Sequence, residues 1–251
     1  MTPEKLALLA VAIFIVAFLY SSVGHAGASG YIAVMGLFGL APEIIRPAAL
    51  VLNILVASIG FWHFWKAGHF SWRLFWPFAV LSIPLSFFGG YKNLPPGIFN
   101  ICVGVVLLCS AAQFLFRPHT GYLVREPSRF LAIPIGAALG LLAGLTGTGG
   151  GIFLTPLLLF MRWAQTKSAV AVSALFILGN SISGLLGIFY RAKSFSTFTL
   201  NLETAPALLV AAAIGGAAGS YSGSRRFAPT TIMRLLAVVL LIAGTKLIFA
   251  H

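Results

Sequence analysis

Aspartate is absent from this chain, and glutamate occurs only as Glu4, Glu43, Glu126 and Glu203. That scarcity excludes an aspartyl pair for proteolysis inside a membrane, and it leaves no carboxylate cluster from which to build a metal or Na⁺ site. Charged residues of either sign make up 8% of the 251 positions, against roughly a quarter in a soluble domain. Cysteine is nearly missing as well. Cys102 and Cys109 lie one heptad apart in a single apolar run, which reads as two small buried hydrophobes and not as a disulfide framework or metal site. No polar stretch is long enough to fold by itself outside a membrane.

What remains is apolar. Hydrophobic residues are 59% of the chain, with mean hydropathy +1.01. A water-soluble core cannot absorb that much, so lipid must solvate much of it. Apolar runs occupy 6–23, 28–40, 44–65, 74–91 and 96–116, then 130–148, 150–161, 168–190, 203–223 and 230–250. Most approach the roughly 20 residues that a spanning helix needs. The N-terminal run continues through Ser21–Gly30 without a convincing signal-peptidase site and is read as retained. The runs 28–40 and 150–161 are too short to cross alone, and each follows a glycine-rich break. Short interrupted segments at matching places in two halves mark the discontinuous helices of transporters.

The two halves correspond in order and spacing. Gly24-His25-Ala26-Gly27-Ala28 aligns with Gly147-Thr148-Gly149-Gly150-Gly151, and Arg46 falls near Lys167. Phe64-Trp65-Lys66-Ala67 aligns with Phe189-Tyr190-Arg191-Ala192, and Leu94-Pro95-Pro96 with Phe227-Ala228-Pro229. The expected organisation is a first repeat over 1–117, a linker over 118–128 and a second repeat over 129–251. The fold class expected is an all-α polytopic membrane protein of about 8–10 membrane segments, with two inverted repeats, each opening on a glycine-rich broken or re-entrant helix.

The cations support inversion. If each broken element returns to its own side or crosses twice, one face carries Lys66, Arg73, Arg117, Arg125, Arg129, Arg162, Lys167, Arg225 and Arg226. The other then carries Lys5, Arg46, Lys92, Arg191 and Lys193. A single crossing divides them more evenly. The positive-inside rule favours the first case, with both termini outside the cytoplasm. The net charge of +12 is then a matter of loop cations at lipid headgroups and not of nucleic acid.

Thr146-Gly147-Thr148-Gly149-Gly150-Gly151 is the most informative stretch. Unpaired backbone N–H groups are costly at membrane depth. Adjacent glycines let amides approach a ligand, and a helix starting near Gly151 aims its positive end back into the break. This is chemistry for an anion; the alternative is that the glycines only permit close packing. Ser22, Gly24, His25, Gly27 and Ser29 form the first-half counterpart. Its Gly27-Ala28-Ser29-Gly30 resembles the serine motif of rhomboid proteases. A rhomboid needs a histidine base on a later spanning helix, whereas His63, His69, His119 and His251 fall at helix ends or in loops.

Gly136-xxx-Gly140-xxx-Gly144 and Gly215-xxx-Gly219-xxx-Gly223 place small residues on one helix face and read as packing ladders. Asn53 and Asn180, mid-helix in related elements, either donate to an anion or tie two helices together. His25 either carries a coupled proton or is structural. Arg46 and Lys167 either attract substrate at a vestibule or anchor in headgroups.

With these motifs in place, nearly the whole chain resembles the TauE/SafE sulfite exporter family, also called the toluene sulfonate uptake permease family. The resemblance is carried by Gly147-Thr148-Gly149-Gly150-Gly151-Ile152-Phe153-Leu154-Thr155-Pro156-Leu157 and by the Ser/Asn-containing helix Ala169–Asn180. The first half departs from the family pattern, with Ala28-Ser29 where a glycine pair is usual. The resemblance implies a secondary transporter, an exporter of sulfite, sulfonates or related sulfur anions, in the cell inner membrane. The anion is expected between the breaks, among the backbone amides and the side chains of Ser22, Ser29, Thr146, Thr148, Asn53 and Asn180. No catalytic residue, cofactor or metal is expected. The partners expected are a small anion and membrane lipid, with a homodimer left open. An anion channel and a membrane-embedded enzyme or scaffold stand as alternatives.

Overall fold

In a bilayer every backbone polar group must find its partner within the protein, and helices achieve this segment by segment. The computed structural model describes residues 2–40, 42–92, 108, 111–112, 124–192 and 205–249, and among them every regular element is helical. The apolar run 96–116, Leu94-Pro95-Pro96, both cysteines, Arg117, Lys193 and the first part of the linker lie outside the described residues, apart from positions 108, 111 and 112.

The elements are α1 (Pro3–Ser22), α2 (Ala28–Leu37), α3 (Pro42–Lys66), α4 (Trp72–Tyr91), α5 (Arg129–Thr146), α6 (Gly151–Phe160), α7 (Thr166–Ala192), α8 (Ala205–Tyr221) and α9 (Pro229–Phe249). A π-helical turn, Ser222–Arg226, extends α8. Six spans among them are long and apolar enough to cross a membrane: α1, Ile44–Lys66, α4, α5, α7 and Ala205–Arg226. The two short elements expected from the sequence, α2 and α6, are both 10 residues long. Helix starts follow ordinary capping rules. The Thr2 hydroxyl accepts from Lys5 N ahead of Pro3, and the Ser71 hydroxyl accepts from Leu74 N.

The glycine ladders bring helices together as packing motifs do. A Cβ built at Gly136, Gly140 or Gly144 would sit 2.0–2.2 Å from the carbonyl oxygens of Phe78, Ser82 or Ser86, so α5 lies against the α4 backbone. Gly215, Gly219 and Gly223 meet the carbonyls of Phe14, Phe18 and Ser22 in the same way, so α8 lies against α1. Both pairings run parallel. The first helix of each half therefore packs on the fourth helix of the other. The third helices, α3 and α7, meet each other at the centre, and α4 packs on α7 as α8 packs on α3. This pattern is unchanged when the halves are exchanged.

One end of the bundle gathers cations. His69 Nε2 and Lys167 Nζ both bond Ser224 O at 3.2 Å, Arg125 N donates to Arg162 O at 2.9 Å, and Arg73 pairs with Glu126 at 2.9 Å. Lys66, Arg129, Arg225 and Arg226 stand at the same end, each over an aromatic ring: Trp62, Trp76 and, for the last two, Tyr221. Helices α1, α3, α6 and α8 run toward this end, while α4, α5 and α7 leave it. The helix pairs that the sequence alignment expects to correspond (α1 and α5, α3 and α7, α4 and α8) thus point in opposite directions. Exposed Trp62, Trp65 and Trp72 fit an interfacial aromatic belt. Exposed Leu8, Val11, Val210 and Ile214 are the apolar flank that lipid would cover.

Candidate functional site

Helix α5 ends where Gly147 takes the left-handed conformation, φ 73°, and donates to Ala143 O. Gly149 and Gly150 follow at φ 74° and 79°, a backbone that L side chains rarely adopt. The chain thereby doubles back, setting Gly150 beside Ala143 and Leu139 of α5, and α6 starts well inside the bundle. Gly150 is its N-cap and has no side chain to cap with. The first amides of a helix have no acceptor within it, so the start of α6 presents donors and the positive end of a dipole.

Side chains from remote elements hold this break. Asn53 Nδ2 of α3 donates to Thr148 O at 3.3 Å and to Ser181 Oγ of α7 at 3.4 Å. Arg46 of α3 donates to Gly144 O, with its aliphatic stem against Gly147. A cation at the C-terminal carbonyls of α5 complements that helix's negative end. Thr146 donates to Leu142 O at 2.7 Å and shares a 2.8 Å bond with Thr148. Asn53 is fully buried and its Oδ1 has no hydrogen-bond partner.

The first-half break is built in the same way. Gly24 and Gly27 have φ 73° and 98°, and a Cβ at Gly24 would collide with Val170 of α7 at 2.2 Å. His25 N donates to Tyr20 O at 2.9 Å. The buried imidazole bonds through Nε2 to Thr155 Oγ1 of α6 at 3.1 Å, and Thr155 donates to Ser173 Oγ of α7 at 2.7 Å. The Gly151 backbone lies alongside the same ring. The tip of the first break therefore touches the start of α6 in the second.

Of the residues expected from the sequence, the structure brings His25 to Gly151, and Asn53 to Thr148 and Gly149. Others stand apart. Asn180 Oδ1 accepts from Ser82 Oγ, and its carbonyl accepts from Ser86 Oγ, both at 2.8 Å. It lies in the α4–α7 interface, with its Nδ2 buried and without a hydrogen-bond partner. Ser22 Oγ donates to Leu19 O of its own helix, and Ser29 Oγ donates to Tyr20 OH. Arg46 sits at the break itself, not in an outer vestibule, while Lys167 is at the cation-rich end on Ser224 O. An open cavity of about 340 Å³ at that end, flanked by Arg73, Arg129 and Trp163, is lined by no residue of either break among those described.

Thr155, Ser173 and Ser181 bond to these residues or to one another, and sequence reasoning does not single them out. A lone Ser or Thr in an apolar helix usually bonds back to its own backbone, so sequence spacing does not single it out. The one available signal is that Thr155 stands one turn after Gly151, on the same helix face.

Comparison with known proteins agrees with this architecture. A family profile described as "Sulfite exporter TauE/SafE" matches residues 9–247. The chain is 37% identical over 246 residues to the probable membrane transporter protein y4hK of Sinorhizobium fredii, covering 96% of this chain and 97% of that one. It is 24% identical over 244 residues to the probable membrane transporter protein YjnA of Bacillus subtilis, covering 90% and 92%. No solved structure matches. Profile and relatives alike span nearly the whole chain, and this multi-pass membrane protein belongs to the sulfite exporter TauE/SafE family of membrane transporters.

Proposed function

We propose that this membrane transporter is a secondary carrier that exports a small sulfur oxyanion, sulfite or an organic sulfonate, bound between the two glycine-rich breaks. The observation that carries this reading is the uncapped start of α6 behind three left-handed glycines, Gly147, Gly149 and Gly150. A helix N-terminus presents roughly half an elementary positive charge, and the apolar surroundings strengthen its attraction for an anion. His25 reaches Thr155 of α6, and the Asn53–Ser181 pair stands at Gly149, just ahead of that helix. Among the described side chains no carboxylate flanks either break to repel an anion. The sulfur class and the export direction rest on the family's description.

The reading includes two inverted repeats, over 1–117 and 129–251, with the cation-rich end in the cytoplasm. The opposed directions of corresponding helices and the gathering of arginines and lysines support both. An inner-membrane location follows from the same orientation.

Flux from proteoliposomes tests the function. Radiolabelled sulfite and methanesulfonate are expected to leave saturably and to exchange against unlabelled anion on the other side. Linear flux without counterflow would indicate the anion channel, and preference for amines or sugars would refute an amide-lined anion site.

A further inference from the structure

His25 has a role that anion binding alone does not require. Its imidazole is buried, 3% exposed, at the tip of the first break. Nε2 is tied to Thr155, whose own hydroxyl hydrogen goes to Ser173. With that hydrogen committed, Nε2–H is the donor toward Thr155. Nδ1 is then the basic nitrogen, and it is buried without any hydrogen-bond partner. An orphaned base in such a place costs free energy unless something occupies it during function.

We infer that Nδ1 of His25 binds a proton that accompanies the anion through the protein. The inference rests on the anion reading above. A proton taken up on one side adds to the Nδ1 lone pair and makes an imidazolium beside the Gly151 backbone at the start of α6. The anion and the imidazolium neutralise each other in the apolar interior, so each makes the other's burial cheaper. When the anion leaves on the opposite side, the unpaired cation releases its proton there. One proton then travels with each anion in the same direction. A sulfonate monoanion crosses as a neutral pair, and a sulfite dianion crosses with a single net negative charge.

Among the described side chains of the neighbouring elements, none offers a competing partner. The charged and titratable groups of α1 are Glu4 and Lys5 at its far end and the buried phenol of Tyr20, which accepts from Ser29. On α2 the group is the buried Tyr31, and α6 carries none. On α7 they are Lys167, engaged with Ser224 O, and Arg191 at the distant end. Arg46 of α3, on the other break, donates to Gly144 O. The link from His25 to Thr155 and Ser173 also joins the first half to the second across 130 positions. Proton occupancy can therefore bias how the two broken elements sit against each other.

The test uses the full chain in liposomes containing a pH-sensitive dye. Methanesulfonate is the probe, because its charge is constant over the working range. An outward methanesulfonate gradient should carry protons out with it and alkalinise the lumen. Its affinity should weaken about tenfold per pH unit once His25 is mostly neutral. His25→Gln should abolish proton movement and flatten the pH dependence of any residual anion exchange. Thr155→Val keeps the imidazole but removes the Nε2 partner, and it should displace the pH midpoint. Anion flux without proton movement in the wild type would overturn the inference while leaving the carrier reading intact. Unchanged proton movement in His25→Gln, or an unmoved midpoint in Thr155→Val, would also overturn it. Absence of both sulfite and methanesulfonate flux would overturn the carrier reading together with the inference.

Discussion

At the scale of single residues, two asparagines that look equivalent in the sequence have different jobs. Asn53 supports the break that opens α6, whereas Asn180 joins α4 to α7. Asn53→Ala is expected to reduce transport per folded molecule, because Thr148 and Ser181 lose the group that links them. Asn180→Ala should lower stability first, by about 1–3 kcal/mol, since it strands the buried Ser82 hydroxyl. Thermal unfolding and flux measured on the same preparations separate the two. Gly150 gives a sharper case. Its φ of 79° disfavours any side chain, and a Cβ would press on Ala143 and Phe176 at 3.0 Å. Gly150→Val should therefore shift the start of α6 and weaken anion binding about tenfold or more, or roughly 1.4 kcal/mol, while leaving membrane insertion intact. Unaltered binding in Gly150→Val would mean that the glycine stretch serves packing alone.

At the scale of elements, the ladder glycines behave differently from those of the breaks. A methyl at Gly140 would meet Ser82 O at 2.1 Å, backbone against backbone, so even Gly140→Ala must push α4 and α5 apart. Its cost should be about 1–3 kcal/mol, with lower yield. Gly60 on α3 is the matched contrast, because its nearest neighbour would be Ser220 Cβ at 3.9 Å. Gly60→Ala should be neutral or stabilising by up to about 1 kcal/mol through lost chain entropy in the unfolded state. Differential scanning fluorimetry of the pair reads both signs. The connection between α3 and α4 carries a pH effect. Burial holds His69 below its ordinary value, and nearby Lys167 adds to this, although the bond to Ser224 O opposes it. The folded state thus favours neutral His69. That stability is fully present above the ordinary value of 6.5 and is lost as pH falls toward the depressed folded value. His69→Gln, which keeps a donor for Ser224 O, should flatten this acid limb of the melting temperature.

At the scale of the whole molecule, the arrangement of ends predicts orientation. Lys66, Arg73, Arg162, Lys167, Arg225 and Arg226 share one end, toward which α1 runs and from which α9 leaves. With that end cytoplasmic, alkaline phosphatase fused after His251 should be active, and a fluorescent protein fused there should stay dark. A cysteine placed by Arg73→Cys should react only with reagents delivered from the cytoplasmic side. The reverse labelling pattern would invert the orientation and place the Trp62 and Trp65 belt on the outer face.

Much of this was legible in the chain before any folding was considered. The helical membrane class, the glycine-opened short elements and the gathering of cations at one end among the described residues follow from constraints that act locally. Lipid forbids unpaired backbone, a bilayer sets the span, and loops on one side collect positive charge. Those rules placed the short helices at 28–40 and 150–161, and they form at Ala28–Leu37 and Gly151–Phe160. The same rules say nothing about which polar side chains converge. That His25 reaches Thr155, that Asn53 but not Asn180 holds the second break, and that Arg46 closes the end of α5 depend on contacts between residues 95 to 130 positions apart. Such contacts are settled by how the α1–α8 and α4–α5 ladders pack the halves together. A lone serine, threonine or asparagine in an apolar helix reads the same whether it faces a site, a neighbouring helix or its own backbone, and only the tertiary packing distinguishes the three.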